Sequence, residues 1–85
     1  MFEVRITTEA QAEFDALPPA MQPRVQDVFH RLVRYPAVSG IKPLRRELKG
    51  SFRIRAGDWR IVFMVDQSAK RITVFRIANR RDVYE

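Results

Sequence analysis

The residues of this chain that could do chemistry are arginines spaced two apart. Arg53 and Arg55 alternate with apolar residues, and Arg60 follows shortly after a Gly-Asp pair. Guanidinium groups bind phosphate oxygens through paired, charge-assisted hydrogen bonds. The pattern therefore predicts an anion-binding surface suited to phosphate.

The sequence contains few other residues that could take part in catalysis. The chain has no cysteine and one histidine, and it contains no glycine-rich phosphate loop. These residues cannot build a typical transition-metal site, so we expect neither a metal nor another cofactor. His30 lies one step off the apolar stripe of a predicted helix, and we interpret it as a helix-surface residue rather than a catalytic base.

Phosphoryl transfer on RNA is compatible with this limited set, because the 2′-hydroxyl of the substrate can itself be the nucleophile. The protein then has to position the strand, stabilise the charge on the crowded phosphate and assist proton transfer. Arginine can stabilise that charge but is a poor general base, since its pKa lies above ~12.

The positive charge is concentrated in the second half of the chain. The whole sequence carries 16 Lys and Arg against 10 Asp and Glu, a net charge of +6. Residues 41–85 contain twelve Lys and Arg against five acidic residues, a net charge of +7, and residues 1–40 have a net charge of −1. This asymmetry has two interpretations: a polyanionic partner, or a solvated basic surface that favours solubility.

The predicted elements follow from apolar periodicity and from prolines. Pro18 and Pro19 separate two amphipathic helices, and Tyr35-Pro36 ends the second. Residues 36–50 form a long basic loop in this interpretation, with a short helical turn near Leu44 to Leu48. The elements are a strand over 2–7, a helix over 8–17 with Thr8 as its N-cap, a helix from about 20, and strands over 51–56, 59–66 and 70–78.

This order is β-α-α-β-β-β, which predicts an α+β fold. The N-terminal strand and a three-stranded antiparallel meander would form one mostly antiparallel sheet, with the helical hairpin packed on one face. We expect residues 1–85 to form a single domain, and the nearly continuous apolar strand over 59–66 to be central in the sheet. Because no long apolar run is present, we expect a soluble, cytoplasmic protein.

The register of the hairpin decides where the arginines point. A two-residue turn at Gly57-Asp58 places Arg55 opposite Arg60, with the apolar residues of both strands on the other face. A three-residue loop over 67–69 would place Arg76 opposite Arg60 as well. We call Arg53, Arg55, Arg60 and Arg76 the arginine face.

Like charges directly across a ladder cost up to roughly 1 kcal/mol each. The arginine face is therefore easier to understand if an anion occupies it. The alternative is a hydrated face whose repulsion is screened by salt over a Debye length of ~8 Å.

The second half of the chain resembles the RelE/ParE superfamily of bacterial toxins from toxin–antitoxin modules. The resemblance rests on Leu48–Gly50, on the basic strand and turn of Phe52–Phe63, and on the closing Ile77–Tyr84 with its Arg-Arg-x-Val-Tyr motif. Residues 1–36 fit the strand and helical hairpin of the family, so the resemblance spans the chain.

The resemblance implies a reaction and a set of site residues. RelE-type members cleave mRNA in the ribosomal A site, and on that model Arg60 and Arg80 hold the scissile phosphate. Tyr84 stacks on a base or helps to activate the 2′-hydroxyl, completing the implied catalytic set. The general acid and base stay unassigned. The implied RNA-binding residues are Arg53, Arg55, Lys49, Arg76 and Arg81.

Two further functions stay open at this point. A ParE-like member would inhibit DNA gyrase without enzymatic activity, and a degenerate member would only bind its antitoxin. Every version implies a cognate antitoxin in a toxin–antitoxin hetero-oligomer. We expect that antitoxin to carry an acidic and apolar segment that covers the basic face or displaces the C-terminal tail.

Overall fold

The structure is a computed structural model that describes residues 1–45 and 50–79. Along these stretches no helix has the length and apolar character needed to cross a membrane. The elements are β1 (Glu3–Ile6), α1 (Thr8–Asp15), α2 (Gln22–Leu32), β2 (Lys42–Pro43), β3 (Ser51–Ala56), β4 (Trp59–Asp66) and β5 (Arg71–Asn79).

The strands form one sheet in the order β1-β5-β4-β3-β2, so β4 is central as its apolar composition predicts. β3, β4 and β5 form an antiparallel meander, and β1 pairs with β5 in parallel. The α+β prediction is confirmed, with one parallel pair in the sheet. The helical hairpin carries the chain from β1 at one edge of the sheet to β2 at the other edge, and the meander then returns to place β5 beside β1.

The N-cap of α1 is Thr7, so the prediction of Thr8 is wrong by one residue. Thr7 has extended backbone angles, and its hydroxyl oxygen accepts a hydrogen bond from the Ala10 N–H at 3.1 Å. Thr8 is the first helical residue because the strand before it ends at Ile6. The N-cap is therefore Thr7, the single residue between β1 and α1.

The helices pack on one face of the sheet and enclose the core. α2 buries Val25, Val28, Phe29 and Leu32, the stripe that its sequence predicts. The sheet supplies the matching apolar layer, in which Phe63 is fully buried. Burying each such side chain stabilises the fold by roughly 1.5–3 kcal/mol. The core residues contributed by the sheet are Ile54, Ala56, Ile61, Phe63, Ile72, Val74 and Ile77.

The β3–β4 hairpin has the predicted register. Ala56 pairs with Trp59 and Arg55 with Arg60, so the turn contains only Gly57 and Asp58. Gly57 has a φ of +60°, a conformation that side-chain-bearing residues adopt at a cost. This turn fixes which strand residues share a face.

The β4–β5 register differs from the prediction. Arg76 pairs with Val62, and Arg60 pairs with Ala78, so Arg76 is not opposite Arg60. The loop contains four residues, 67–70, and the register shifts by one between Val62 and Phe63. Phe75 is the extra residue of this bulge, which no alternation in the sequence signals.

The segment predicted as a long loop contains the short strand β2. Lys42 pairs with Arg53, and Pro43 pairs with Phe52. The Leu44 N–H extends the ladder by donating to the Ser51 carbonyl at 2.9 Å. The helical turn predicted from Leu44 to Leu48 lies largely outside the described residues, which stop at 45 and resume at 50.

Candidate nucleic-acid interface

The arginine face lies on the side of the sheet opposite the helices. Residues paired across antiparallel strands point to the same face, so the register assigns each side chain. Two rows of residues cross the strands. One row contains Lys42, Arg53, Val62 and Arg76, and the other contains Arg55, Arg60 and Ala78.

The described arginines of this face divide into two classes by exposure. Arg53 and Arg60 are only 3% and 7% exposed, whereas Arg55 and Arg76 are exposed. A buried guanidinium lies in surroundings of lower dielectric than water, where its attraction for an anion is stronger. The exposed arginines instead attract an anion from solution.

In the first row a small apolar residue separates two arginines. Val62 lies between Arg53 and Arg76, and it is 1% exposed. Because neighbouring strands lie about 4.8 Å apart, the backbones of Arg53 and Arg76 are roughly 10 Å apart across the sheet. These two arginines are therefore spread across the sheet, whereas Arg55 and Arg60 of the second row are direct neighbours.

Lys42 is a neighbour of the arginine face that sequence reasoning assigned only to a basic loop. Its pairing with Arg53 places it in the same row and at the edge of the sheet. A two-residue strand that contains a proline is too short for alternation to reveal it. The signal that could have found it is the antiparallel partner that β3 requires on its outer side.

Glu13 is a second residue that sequence reasoning missed. The Ile77 N–H, just after the bulge, donates to Glu13 Oε1 at 2.7 Å. This contact ties α1 to the strand that carries Arg76. The spacing of Glu13 in the sequence matches no capping motif, so nothing local indicates this role.

The ion pairs of the described chain do not include the exposed arginines of this face. Arg71 donates to Glu3 at 2.9 Å across β1 and β5, and this hydrogen bond, more than the second one from Arg5, lowers the pKa of Glu3. Within residues 1–45 and 50–79, neither Arg55 nor Arg76 has a carboxylate within 4.0 Å. These two arginines are available to an external anion.

Four of the implied site residues lie outside the described residues: Lys49, Arg80, Arg81 and Tyr84. His30 is exposed on α2 and belongs to the helical layer. Across the described part of the chain, His, Asp and Glu form no group of three that could hold a metal ion. The described arginines and their neighbour Lys42 can bind an anion and stabilise negative charge.

An α+β fold of this topology with a basic sheet face is the architecture of small toxins from toxin–antitoxin modules. The family model described as the ParE toxin of the type II toxin–antitoxin system, parDE, matches residues 4–84. The chain therefore belongs to the RelE/ParE superfamily of type II toxins.

Relatives of both RelE and RelG type match nearly the whole chain. Toxin RelG of Mycobacterium tuberculosis is 37% identical over 84 residues, covering 98% of this chain and 95% of that protein. Toxin RelE of the same organism is 34% identical over 84 residues, covering 98% of this chain and 86% of that protein.

Solved structures agree with the fold. The toxin–antitoxin complex RelBE2 of Mycobacterium tuberculosis contains a chain that matches with a TM-score of 0.81 at 29% identity, covering 92% of this chain and 96% of that one. The isolated RelE toxin of E. coli matches with a TM-score of 0.75 at 14% identity, covering 93% and 84%. At that identity the second likeness concerns the fold alone.

Proposed function

We propose that this toxin is a ribosome-dependent mRNA endonuclease. The observation that carries the proposal is the arginine face, on which Arg53, Arg55, Arg60 and Arg76 share one side of the sheet. The relatives that are 34–37% identical are named RelE and RelG toxins, which supports the RelE-type activity.

In the proposed reaction the nucleophile comes from the substrate. The 2′-oxygen of the nucleotide before the cut forms a bond to phosphorus, and the bond from phosphorus to the 5′-oxygen breaks. A base takes the 2′-hydroxyl proton and an acid delivers one to the leaving 5′-oxygen. The products are a 2′,3′-cyclic phosphate and a 5′-hydroxyl.

The residues have separate roles in this scheme. Arg60 and Arg80 bind the scissile phosphate and stabilise the added negative charge of the transition state. Arg53 and Arg55 hold neighbouring phosphates, and Tyr84 stacks on a base or assists the 2′-hydroxyl. The ribosome presents the mRNA in a cleavable conformation, so the chain does not itself have to enclose the substrate. Lys49, Arg76 and Arg81 extend the contact with the RNA backbone.

A second candidate function is inhibition of DNA gyrase without catalysis. It is favoured by the match of the ParE toxin model to residues 4–84, since that model is described by the parDE system. Both candidates use a basic surface. They differ in whether a phosphodiester bond is cut.

We propose a cognate antitoxin as the partner of this chain in either case. The RelBE2 chain and the E. coli RelBE toxin were both solved as toxin–antitoxin complexes. An acidic segment of the antitoxin would cover the arginine face and block access to RNA.

The two candidate functions are separated by one parallel experiment. The purified chain is incubated with ribosomes programmed with mRNA, and separately with gyrase and relaxed plasmid. We expect mRNA cleavage at the A-site codon, with uninhibited supercoiling, and loss of cleavage in Tyr84→Phe or Arg80→Ala. Intact mRNA together with blocked supercoiling would show that the gyrase-directed function is the right one.

A further inference from the structure

Two open clefts adjoin each other between α2 and the outer edge of β3. The first has a volume of about 430 Å³ and is lined on the helix side by Arg24, Asp27 and Arg31. The second has a volume of about 400 Å³ and is lined by Arg31 and Lys42 among others. Arg31 and Arg55 line both clefts, so the two clefts are neighbours, and we call them together the α2–β3 groove.

The groove exists because β2 is short. β2 pairs only with Phe52 and Arg53, so within the described chain the edge of β3 from Ile54 onward borders the clefts rather than another strand. Arg24 spans the gap from the helix side. A Cβ atom placed on Gly57 would lie 3.2 Å from Arg24 Nη1, so this guanidinium lies against the end of the hairpin.

The helix side of the groove carries charge in a fixed order. Arg24, Asp27 and Arg31 occur at spacings of three and four, so they share the face of α2 that is turned away from its buried stripe. The rise of the helix separates Arg24 from Arg31 by about 10 Å. Arg31 Nε lies 3.1 Å from Asp27 Oδ2, and Arg24 has no carboxylate within 4.0 Å among residues 1–45 and 50–79.

The groove is continuous with the arginine face. Arg55 is exposed and lines both clefts, while it also pairs with Arg60 across the hairpin. Lys42 similarly lines the second cleft and occupies the same row as Arg53. An extended polyanion that crosses the face can therefore continue around the edge of β3 into the groove.

We propose that the α2–β3 groove binds the phosphate backbone of single-stranded RNA beyond the segment held by the arginine face. This inference rests on the proposed function, since RNA is taken as the molecule on that face. Arg24 and Arg31 are its distinguishing residues, because neither belongs to the arginine face.

The lining favours RNA over an acidic peptide. A peptide segment that orders on binding needs apolar anchors. Among the described residues, the apolar lining consists of Pro23, Ile54 and Ala56, and the last two are only 2% and 6% exposed. None of the described residues that line the groove has an aromatic ring on which a base could stack, so the groove contacts phosphates without reading sequence.

The test measures binding of a fluorescent, single-stranded 2′-O-methyl RNA oligonucleotide, which has no free 2′-hydroxyl and cannot be cut. Each phosphate contact contributes about 0.7 to the slope of log K against log salt, which corresponds to roughly fivefold in affinity at about 0.1 M salt. We expect Arg24→Ala and Arg31→Ala each to weaken binding about fivefold and to reduce the slope by about 0.7. Asp27→Asn removes the acidic residue of the groove and should tighten binding.

The matched control is Arg34→Ala, which removes one exposed arginine that lies just beyond α2 and lines neither cleft. Its affinity should stay within about twofold of the wild type. A labelled poly-glutamate peptide is measured in parallel. Unchanged RNA binding in Arg24→Ala and Arg31→Ala overturns the inference, as does a loss confined to poly-glutamate, which would assign the groove to an acidic protein segment.

Because the probe cannot be cut, this test is separate from the test of the proposed function. If the chain leaves programmed mRNA intact but Arg24→Ala and Arg31→Ala bind the probe more weakly, the groove is still an RNA-binding surface. If the chain cuts mRNA and all variants bind the probe equally well, the inference about the groove is overturned and the proposed endonuclease function stands.

Discussion

Arg55 and Arg60 lie opposite each other on neighbouring strands, where two like charges face one another. Such a pair costs up to roughly 1 kcal/mol, and a bound phosphate reverses the sign of that contribution. Arg60 is 7% exposed and Arg55 is exposed, so the two arginines suit different tasks. In our account Arg60 contacts the reacting phosphate, and Arg55 attracts and holds the strand beside it.

Replacing Arg60 tests this assignment. We expect Arg60→Ala to lower the rate of mRNA cleavage on programmed ribosomes by about 100-fold or more, because one preorganised donor to the developing charge is lost. Arg60→Lys keeps the positive charge but lacks the planar guanidinium group, so its cleavage rate should lie between those of the wild type and Arg60→Ala. Single-turnover cleavage measures the rates, and urea unfolding reports whether each variant is folded. An Arg60→Ala chain that is folded and cuts at the wild-type rate would exclude Arg60 from the reaction.

Glu3 gives a prediction about pH. The hydrogen bond from Arg71 holds the pKa of Glu3 below its ordinary value of 4.5, so protons bind more readily to the unfolded chain. The stabilisation is therefore complete above pH 4.5 and is lost as the pH falls through the lowered pKa. We expect the stability difference between wild type and Glu3→Gln to shrink between about pH 6 and about pH 3, as urea unfolding will show. The stability difference between wild type and Arg71→Gln should shrink over the same pH range. A stability difference that does not change with pH would contradict the role of the Glu3–Arg71 pair.

At the scale of elements, the hairpin of β3 and β4 is the part that the sequence predicts best. Gly57 and Asp58 permit only a short turn, and once the turn is set, alternation assigns every side chain to a face. The next register could not be predicted in this way. The four-residue loop between β4 and β5 and the bulge at Phe75 each shift the pairing of these strands by one residue from the predicted register. Neither feature has a distinctive residue pattern in the sequence.

The remaining elements show why periodicity is an incomplete guide. Alternation predicts β1 as a strand but does not say that its partner is β5 or that the pairing is parallel. β2 has two residues, too few for an alternating pattern to be recognised. The α2–β3 groove depends on both the short β2 and the position of α2, so sequence periodicity does not bring its residues together.

The contact between Glu13 and the bulge predicts an effect on stability. Ile77 is 2% exposed, so Glu13→Ala leaves a buried N–H without its acceptor and should destabilise the fold by about 1–3 kcal/mol. Glu13→Gln retains a side-chain oxygen and should lose less. Urea unfolding of the two variants measures the difference. Equal stability of Glu13→Ala and wild type would show that this hydrogen bond contributes nothing to folding.

At the scale of the whole molecule, the net charge of +6 is distributed according to the fold. The meander carries the arginine face, and the helical hairpin packs on the other side of the sheet while adding Arg24 and Arg31 at its edge. A surface of one sign attracts a polyanion over a range that salt shortens. The fold therefore offers a basic path from one face of the sheet around its edge.

The central claim is that the substrate's own 2′-hydroxyl cuts the mRNA that this chain binds on the ribosome. The most direct measurement uses programmed ribosomes and an mRNA with a single 2′-deoxynucleotide immediately before the A-site cut. We predict that cleavage at that bond is lost, while the all-ribose mRNA is cut to leave a 2′,3′-cyclic phosphate. Undiminished cleavage of the deoxy-substituted bond, or an all-ribose mRNA that stays intact, would contradict the account.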